Sequence, residues 1–268
     1  MGAEVIGYTH MKRKKVLGVI PARLNSTRLP GKMLLDMLGK PLIVRTYEQA
    51  KKAKLLDALV VATDSSEIEA AVRAFGGRVI RTSSRPENGT ERVAEAARKF
   101  KDFKPDIVIN IQGDEPLMPP EAIDHTAKLL LKNDAVMSTV ATPFKNDADL
   151  AKPGLVKVAL DCNGYALYFS RSTIPYARTT VPIGQYLNHL GLYGYTRDFL
   201  LQYVRLKPTP LEKAELLEQL RALENGYRII VGIGEFERAE VNEMHEFKKA
   251  LTIMRRQLKL QTQERARS

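Results

Sequence analysis

Cysteine is scarce in this sequence, and the scarcity limits the kinds of site the chain can build. Cys162 is the single cysteine among 268 residues. An internal disulfide needs two cysteines and a cysteine metal cluster needs several, so both are excluded. The composition agrees with a reducing compartment. We interpret Cys162 as a structural residue rather than a reactive one.

Long hydrophobic runs are also missing. No stretch of the sequence approaches the roughly 18 apolar residues that a membrane span needs, so we expect no membrane span. The first eight residues lack the basic segment followed by an apolar segment that marks a signal peptide. The sequence therefore predicts a cytoplasmic protein.

Acidic residues are too few to balance the basic ones, and the formal net charge is +11. An excess of this size raises the question of nucleic-acid binding. The positive residues are spread along the chain, with local runs at 12–15 and near 255–267, and no aromatic-rich basic ribbon accompanies them. We interpret the runs as solvated termini and expect no nucleic-acid partner.

What the first half of the sequence does contain is an alternation of short β-branched runs with helical patterns. Strands are predicted at 16–20, 59–63, 78–81 and 106–111, with helices near 43–53, 67–75 and 91–100. This alternation predicts βαβ units and an α/β fold with a mainly parallel sheet between two layers of helices. Ligands of such sheets bind at the carboxyl ends of the strands.

The second half of the sequence looks more antiparallel. Strands are predicted at 135–142, 156–160, 165–170, 189–195 and 228–232, with helices at 121–131, 198–204, 210–224 and from about 242. Asn163-Gly164 favours a hairpin, because this pair supplies the positive φ of a tight turn. We divide the chain into a flexible N-terminal extension at 1–14, a main domain at 15–252 and a basic C-terminal tail at 253–268.

Two of the predicted strands end in residues suited to nucleotide chemistry. The loop after the first strand carries Arg23, Arg28 and Lys32. Arginine offers a planar fork of donors and lysine a point charge, and both suit a triphosphate. Asp114 follows the strand at 106–111, and a carboxylate there suits Mg²⁺, which prefers a few hard oxygens together with substrate phosphate.

Seven motifs in order resemble those of the CMP-Kdo synthetases, where Kdo is 3-deoxy-D-manno-octulosonate. The similarity runs collinearly from about residue 15 to residue 250. The motifs are Ile20-Pro21-Ala22-Arg23 with residues 26–32, Ala62-Thr63-Asp64, Asn88-Gly89-Thr90-Glu91-Arg92, Gln112-Gly113-Asp114-Glu115-Pro116, residues 166–171 with Ile174-Pro175, residues 189–195, and Leu217-Glu218-Gln219-Leu220-Arg221.

The resemblance implies a three-layer α/β/α fold like that of the nucleotide-diphospho-sugar transferases, with an antiparallel lobe for sugar binding and dimerisation. It also implies transfer of CMP from CTP to the anomeric hydroxyl of Kdo with release of diphosphate, a Mg²⁺ cofactor, a homodimer and a role in lipopolysaccharide biosynthesis. The attacking hydroxyl belongs to the substrate, so catalysis consists of positioning and charge stabilisation.

The same resemblance assigns roles to residues of this sequence. Arg28, Lys32 and Asp114 are expected to be catalytic, with Asp114 also a metal ligand. The expected nucleotide-binding residues are Arg23, Arg28, Lys32, Asn88, Gly89, Thr90, Arg92 and Gln112. Thr90 has an alternative interpretation as the N-cap of the helix that follows.

The expected sugar-binding residues are Arg171, His189, Tyr193, Glu218 and Gln219. A cation such as Arg171 suits the Kdo carboxylate. His189 and Tyr193 are four positions apart on one strand and share a face. A hydrogen-bonded core histidine is the alternative for His189, and an exposed helix face is the alternative for Glu218 and Gln219.

The sequence departs from the family pattern at Asn242, where a second metal-binding aspartate is expected. An amide oxygen binds Mg²⁺ without contributing charge. Three hypotheses remain open: an active enzyme in which Glu240 or Glu243 supplies the carboxylate, a slow or altered-substrate member, and a chain that binds CTP and sugar without turnover. Rival activities are CMP transfer to a related acidic sugar, such as 8-amino-Kdo or a nonulosonate, and sugar-1-phosphate nucleotidyl transfer.

Overall fold

The computed structural model describes residues 13–26, 28–237 and 239–265. Most of the predicted N-terminal extension, residues 1–12, lies outside the described residues, as do residues 266–268 at the end of the predicted tail.

Within the described part of the chain, nine strands form one sheet, and all nine strands predicted from the sequence are present. They are β1 Val16–Ala22, β2 Ala58–Thr63, β3 Val79–Arg81, β4 Ile107–Asn110, β5 Met137–Pro143, β6 Lys157–Leu160, β7 Ala166–Ser170, β8 Leu187–Thr196 and β9 Ile229–Ile233.

The helices follow the predicted order, with additions where the segments are too short for periodicity to mark them. They are α1 Leu42–Ala50, α2 Ser66–Ala74, α3 Gly89–Lys99, α4 Pro120–Lys132, α5 Asp147–Leu150, α6 Arg197–Tyr203, α7 Pro210–Glu215, α8 Gln219–Glu224 and α9 Met244–Arg265, with short 3-10 helices at Lys32–Leu34 and Ile183–Gln185. Across the described residues, none of these helices combines the length and the apolar character needed to cross a membrane.

One predicted helix is wrong in its continuity. The segment at 210–224 forms two helices, α7 and α8, because Leu216 adopts a left-handed backbone with φ of 51° that ends α7. The apolar pattern of the segment continues through the break, so periodicity alone does not reveal it. The break matters because Glu218 and Gln219 lie directly after it.

The strand order is β3-β2-β1-β4-β8-β5-β9, with the β6–β7 hairpin attached to β8. Strands β3, β2, β1 and β4 run parallel, and β8 is inserted antiparallel between β4 and β5. The sheet is thus mainly parallel, with an antiparallel part beginning at β8. This confirms the predicted α/β class and its antiparallel lobe.

Helices cover both faces of the sheet, as the three-layer prediction requires. Alternate residues of β1 point to opposite faces, so Ile20 packs with α1, α2, α4 and α9, whereas Leu17 and Val19 pack with α3, α6 and α8. Each face buries its own apolar cluster, and this two-sided burial stabilises the central strands. The carboxyl ends of β1 and β4 are left side by side at one edge.

Candidate active site

A polar cleft of about 320 Å³ opens at the carboxyl ends of β1 and β4. Its walls are the loop after β1, the turn before α3 and the loop after β4. Of the residues predicted to bind nucleotide or act in catalysis, those that line it are Arg23, Arg28, Lys32, Asn88, Gly89, Arg92, Gln112 and Asp114. Thr90 is buried behind this wall, at 1% exposure.

Glycine brings the two strand ends into contact. A Cβ atom at Gly113 would lie 2.8 Å from the carbonyl oxygen of Pro21, closer than side-chain carbons approach backbone oxygens. The loop after β4 therefore packs directly on the end of β1 only because this position has no side chain. The close packing places Asp114, the next residue, against the cationic loop.

Lys32 is held firmly in the cleft by two acceptors. Gly31 adopts a left-handed φ of 67° and starts the 3-10 helix that carries Lys32. The Lys32 ammonium donates to Asp114 Oδ2 at 2.5 Å and to the carbonyl oxygen of Val241 at 3.0 Å. Lys32 is only 8% exposed, so this pair lies in surroundings where charge interactions are stronger than in water.

Asn242 lies beside the same pair although it is distant in sequence. The backbone N–H of Val241 donates to the Asp114 carbonyl at 2.9 Å, which fixes the segment before α9 against the cleft. Arg28 Nη2 donates to Asn242 Oδ1 at 2.7 Å, and Asn242 Nδ2 donates to Glu240 Oε1 at 2.5 Å. The two residues predicted as metal ligands, Asp114 and Asn242, are thus brought together.

Glu240 and Glu243 are the two residues considered as carboxylate substitutes for Asn242. Glu240 is the one whose carboxylate contacts the Asn242 side chain. The Glu243 carboxylate instead faces the His245 ring, with Oε2 3.3 Å from Nδ1. In the described residues no group of three or more histidine, cysteine or acidic side chains is arranged to hold a metal. Asp114 and Asn242 offer two hard oxygens, which fits Mg²⁺ shared with a triphosphate rather than enclosed by protein.

The turn before α3 presents backbone to the cleft and is fixed by its own caps. Asn88 is the N-cap of α3, because its Oδ1 accepts from the Glu91 N–H at 2.9 Å. The alternative of Thr90 as the N-cap is therefore wrong. Arg92 borders the cleft, but its guanidinium pairs with Asp64 at 3.2 Å and ties α3 to the end of β2.

Three predicted sugar-binding residues form an internal cluster on β8 and α8. His189 and Tyr193 share a face, with ring centroids 5.4 Å apart. The Tyr193 hydroxyl donates to Gln219 Oε1 at 2.9 Å, and His189 Nε2 lies 2.9 Å from Thr139 Oγ1. All three predicted residues are at most 5% exposed. The cluster lies outside the cleft lining, and its role towards a sugar remains a prediction.

Arg171 lies apart from that cluster. Its Nε donates to the Glu215 carbonyl at 2.6 Å, and its two terminal nitrogens donate to Leu216 at 3.2 Å and Pro153 at 3.1 Å. The bonds to Glu215 and Leu216 satisfy carbonyl groups at the C-terminus of α7, which a helix leaves without internal partners. The guanidinium therefore holds the helix break in place, and its contact with the Kdo carboxylate stays a prediction.

Glu218 joins the sugar side to the nucleotide side. Thr90 Oγ1 donates to both Glu218 carboxylate oxygens, at 2.8 and 3.0 Å. The Tyr203 hydroxyl donates to the Glu218 carbonyl at 2.5 Å. Burial raises the pKa of Glu218, since an ionised carboxylate is poorly solvated there, and the Thr90 bond opposes that shift. The sequence reasoning missed Asn110 and Tyr203 in this network, although a polar residue within the apolar run of β4 was a visible signal.

Replacing Glu218 with glutamine is expected to raise the melting temperature at neutral pH. The folded-state pKa lies above the ordinary value of 4.5, so ionised Glu218 destabilises the fold. The gain in melting temperature should be absent below pH 4.5. It should grow as the pH rises from there towards the folded-state pKa of Glu218 and stay constant above it. Glu67→Gln is the control of opposite sign, because the Ser65 hydroxyl lowers the Glu67 pKa. Melting temperatures are measured from pH 4 to 8. A Glu218→Gln variant with no pH-dependent gain over the wild type would contradict this prediction.

Comparisons with known proteins agree with this geometry. A family model described as cytidylyltransferase matches residues 17–229. A 3-deoxy-manno-octulosonate cytidylyltransferase of Francisella philomiragia is 49% identical over 219 residues, covering 80% of this chain and 87% of its own. One from Geotalea uraniireducens is 44% identical over 254 residues, covering 90% and 100%. A solved CMP:2-keto-3-deoxy-manno-octonic acid synthetase complexed with CTP is similar with a TM-score of 0.85 and 38% identity, over 91% of this chain and 100% of that one.

Proposed function

The chain belongs to the 3-deoxy-manno-octulosonate cytidylyltransferase family, and from this premise we propose that it transfers CMP from CTP to the anomeric hydroxyl of Kdo. The hydroxyl oxygen of Kdo forms a bond to the α-phosphorus of CTP, the bond between that phosphorus and the bridging oxygen breaks, and diphosphate leaves. The hydroxyl proton passes to solvent or to diphosphate. The protein supplies no nucleophile of its own.

The observation that carries the proposal is the convergence of cations and the Asp114 carboxylate in the cleft. Arg23, Arg28 and Lys32 line it from one loop and Asp114 from the next. Three cations on one loop suit the charge of a triphosphate and offset the negative charge that builds on departing diphosphate. The turn at Asn88 and Gly89 offers backbone groups on the opposite wall, where a base edge would lie.

We propose Mg²⁺ as the cofactor, held by Asp114 and Asn242 together with the phosphates of CTP. The donor set supports it, because Asp114 lines the cleft and the Asn242 oxygen contacts Arg28 of the cationic loop, and hard oxygens beside phosphate-binding cations match the usual environment of this ion. When bound, Mg²⁺ supplies charge neutralisation on the phosphates. Lys32 orients the Asp114 carboxylate, and Arg28, which lines the cleft, holds the Asn242 oxygen.

A cytoplasmic location, a role in lipopolysaccharide biosynthesis and a homodimer are further parts of the proposal. Exposed apolar side chains beside the β6–β7 hairpin support a second copy as partner. Leu167 on β7 is 63% exposed, and Leu216, whose carbonyl binds Arg171 just after β7, is 78% exposed. Sedimentation velocity of the full chain should give a dimer, and a monomer at micromolar concentration would contradict this part.

The sugar is tested by competition between acceptors. Purified protein is incubated with CTP, Mg²⁺ and equal amounts of Kdo, 8-amino-Kdo and a nonulosonate, and the CMP-sugars are separated by mass. The proposal expects CMP-Kdo as the main product. If the main product contains another sugar, that sugar replaces Kdo as the proposed acceptor. The proposed transfer of CMP from CTP then still stands.

Asn242→Asp is expected to make the melting temperature of the protein sensitive to a divalent cation. The Asn242 amide donates to Glu240, so an aspartate would set two carboxylates against each other. Without Mg²⁺ the variant should melt below the wild type, and Mg²⁺ should raise its melting temperature more than that of the wild type. A cation placed between the carboxylates relieves their repulsion.

The matched control for that prediction is the N-cap residue of α5, which is not part of the cleft lining. Asn146 Nδ2 donates to Asp149 Oδ2 at 2.7 Å, so Asn146→Asp creates a similar carboxylate pair. Its melting temperature should fall with no particular response to Mg²⁺. Equal responses of the two variants to Mg²⁺ would remove Asn242 from the metal site.

A further inference from the structure

A chain of three polar side chains runs through the protein interior behind the cleft. Asn110 Nδ2 donates to Thr90 Oγ1 at 3.3 Å, and Thr90 Oγ1 donates to the Glu218 carboxylate. Asn110 is 0% exposed and Thr90 is 1% exposed. Thr90 and Glu218 are 128 positions apart in sequence, so the chain joins two separate parts of the fold.

The direction of these bonds follows from what a hydroxyl can do. A threonine hydroxyl has one proton to donate and lone pairs to accept. A carboxylate only accepts, so the Thr90 proton is committed to Glu218. The Asn110 amide, a donor, then occupies a lone pair of the same oxygen. Each bond fixes the next, and buried polar groups that are bonded in this way hold one orientation.

The chain of bonds connects the two sides of the proposed reaction. Thr90 follows Asn88 and Gly89, which line the nucleotide cleft, and Asn110 ends β4 two residues before Gln112, which also lines it. Glu218 precedes Gln219, which accepts the bond from Tyr193 in the internal cluster.

Glu218 and Gln219 are consecutive residues at the start of α8 and supply an acceptor and a donor. Gln219 Nε2 is buried and has no hydrogen-bond partner within the described residues. A buried donor without a partner is costly, and such groups mark places where a ligand completes the bonding. A carboxylate and an amide N–H from consecutive residues match the donors and acceptors of a polyhydroxylated sugar.

We propose that Thr90 and Asn110 are positioning residues that orient the Glu218 carboxylate to accept hydrogen bonds from the hydroxyl groups of the acceptor sugar. This inference rests on the proposed function and adds two residues to it. Thr90 then serves the sugar, although it lies in the turn of the nucleotide side. Its hydroxyl affects sugar binding through Glu218 and leaves CTP affinity unchanged.

The test compares Thr90→Val with Thr90→Ser. Valine keeps the shape and removes the hydroxyl, whereas serine keeps the hydroxyl. The KM for Kdo should rise about tenfold in Thr90→Val, the effect of one lost charge-assisted hydrogen bond, and stay within about twofold of wild type in Thr90→Ser. The Kd for CTP, measured by calorimetry without sugar, should be unchanged in both variants. Asn110→Leu should raise the KM for Kdo in the same direction.

Three results would overturn the inference. One is a KM for Kdo in Thr90→Val within twofold of wild type. Another is a parallel loss of CTP affinity in Thr90→Val, because this would indicate general damage to the turn. The third is an equal defect in Thr90→Ser. If the wild type itself shows no Kdo-dependent turnover, the proposed function fails and the inference fails with it, so the two failures are distinguished by the wild-type reaction alone.

Discussion

Asp114→Asn is expected to lower kcat/KM for CTP about a thousandfold, with little change in the fold. The carboxylate lies in the loop after β4, paired with Lys32 Nζ at 2.5 Å, and lines the cleft together with the cationic loop after β1. Asparagine keeps the volume and one oxygen but removes the charge that attracts Mg²⁺. The backbone carbonyl that accepts from Val241 is untouched, so the segment before α9 keeps its anchor.

The control for this change is Asp102→Asn on the protein surface. Asp102 pairs with Arg78 at 2.6 Å, and both side chains are about half exposed. Exposed pairs of this kind contribute little to stability, so the variant should match wild type in rate and melting temperature. Initial rates of diphosphate release at saturating Kdo measure both variants. Asp114→Asn with a rate within tenfold of wild type would remove Asp114 from the reaction.

Lys32→Met is expected to lower kcat/KM by about a hundredfold or more. Lysine is buried here and held by two acceptors, so its charge is fixed before substrate arrives. Methionine fills the space of the aliphatic stem without the charge. The phosphates then lose one fixed cation, and Asp114 loses its partner. CTP affinity should fall with the rate.

Two comparisons separate a catalytic role of Lys32 from a structural one. Lys99→Met removes a half-exposed lysine that pairs with Glu95, and should leave the rate unchanged. The double variant Lys32→Met with Asp114→Asn should be about as slow as Asp114→Asn alone, because residues that act as a unit are not additive. Fully multiplicative losses would show that the two side chains act independently.

The nucleotide side of the site could be predicted from the sequence because its residues lie next to strand ends. Lys32 and Asp114 follow β1 and β4 closely, and parallel strands deliver such loops to one edge of the sheet. Pattern and topology together were sufficient for the nine strands and for the cleft. The close approach at Gly113 could not be predicted, because a glycine in a motif does not reveal which backbone it packs against.

The sugar side could not be predicted to the same depth, because its contacts join distant segments. Leu216 interrupts an apolar pattern that continues on both sides, so the helix break was invisible to periodicity. Arg171 has the charge that suits an acidic sugar, yet its guanidinium is bound to backbone carbonyls at that break. The bond from Thr90 to Glu218 depends on how α3 and α8 pack against one face of the sheet.

The sequence could not decide between Glu240 and Glu243 as the neighbour of Asn242 either, because this contact also depends on distant segments. Both lie within two positions of Asn242, and the residue types are identical. The direction of each side chain depends on where α9 begins and on the Val241 contact with Asp114. Only the three-dimensional arrangement separates the two.

The measurement that tests the central claim most directly is diphosphate release by the wild-type protein from CTP and Mg²⁺, with and without Kdo. UTP in place of CTP and chelation of Mg²⁺ are the controls. The account predicts release that requires CTP, Kdo and Mg²⁺ together. A folded protein that binds CTP but releases no diphosphate when Kdo is present would contradict it.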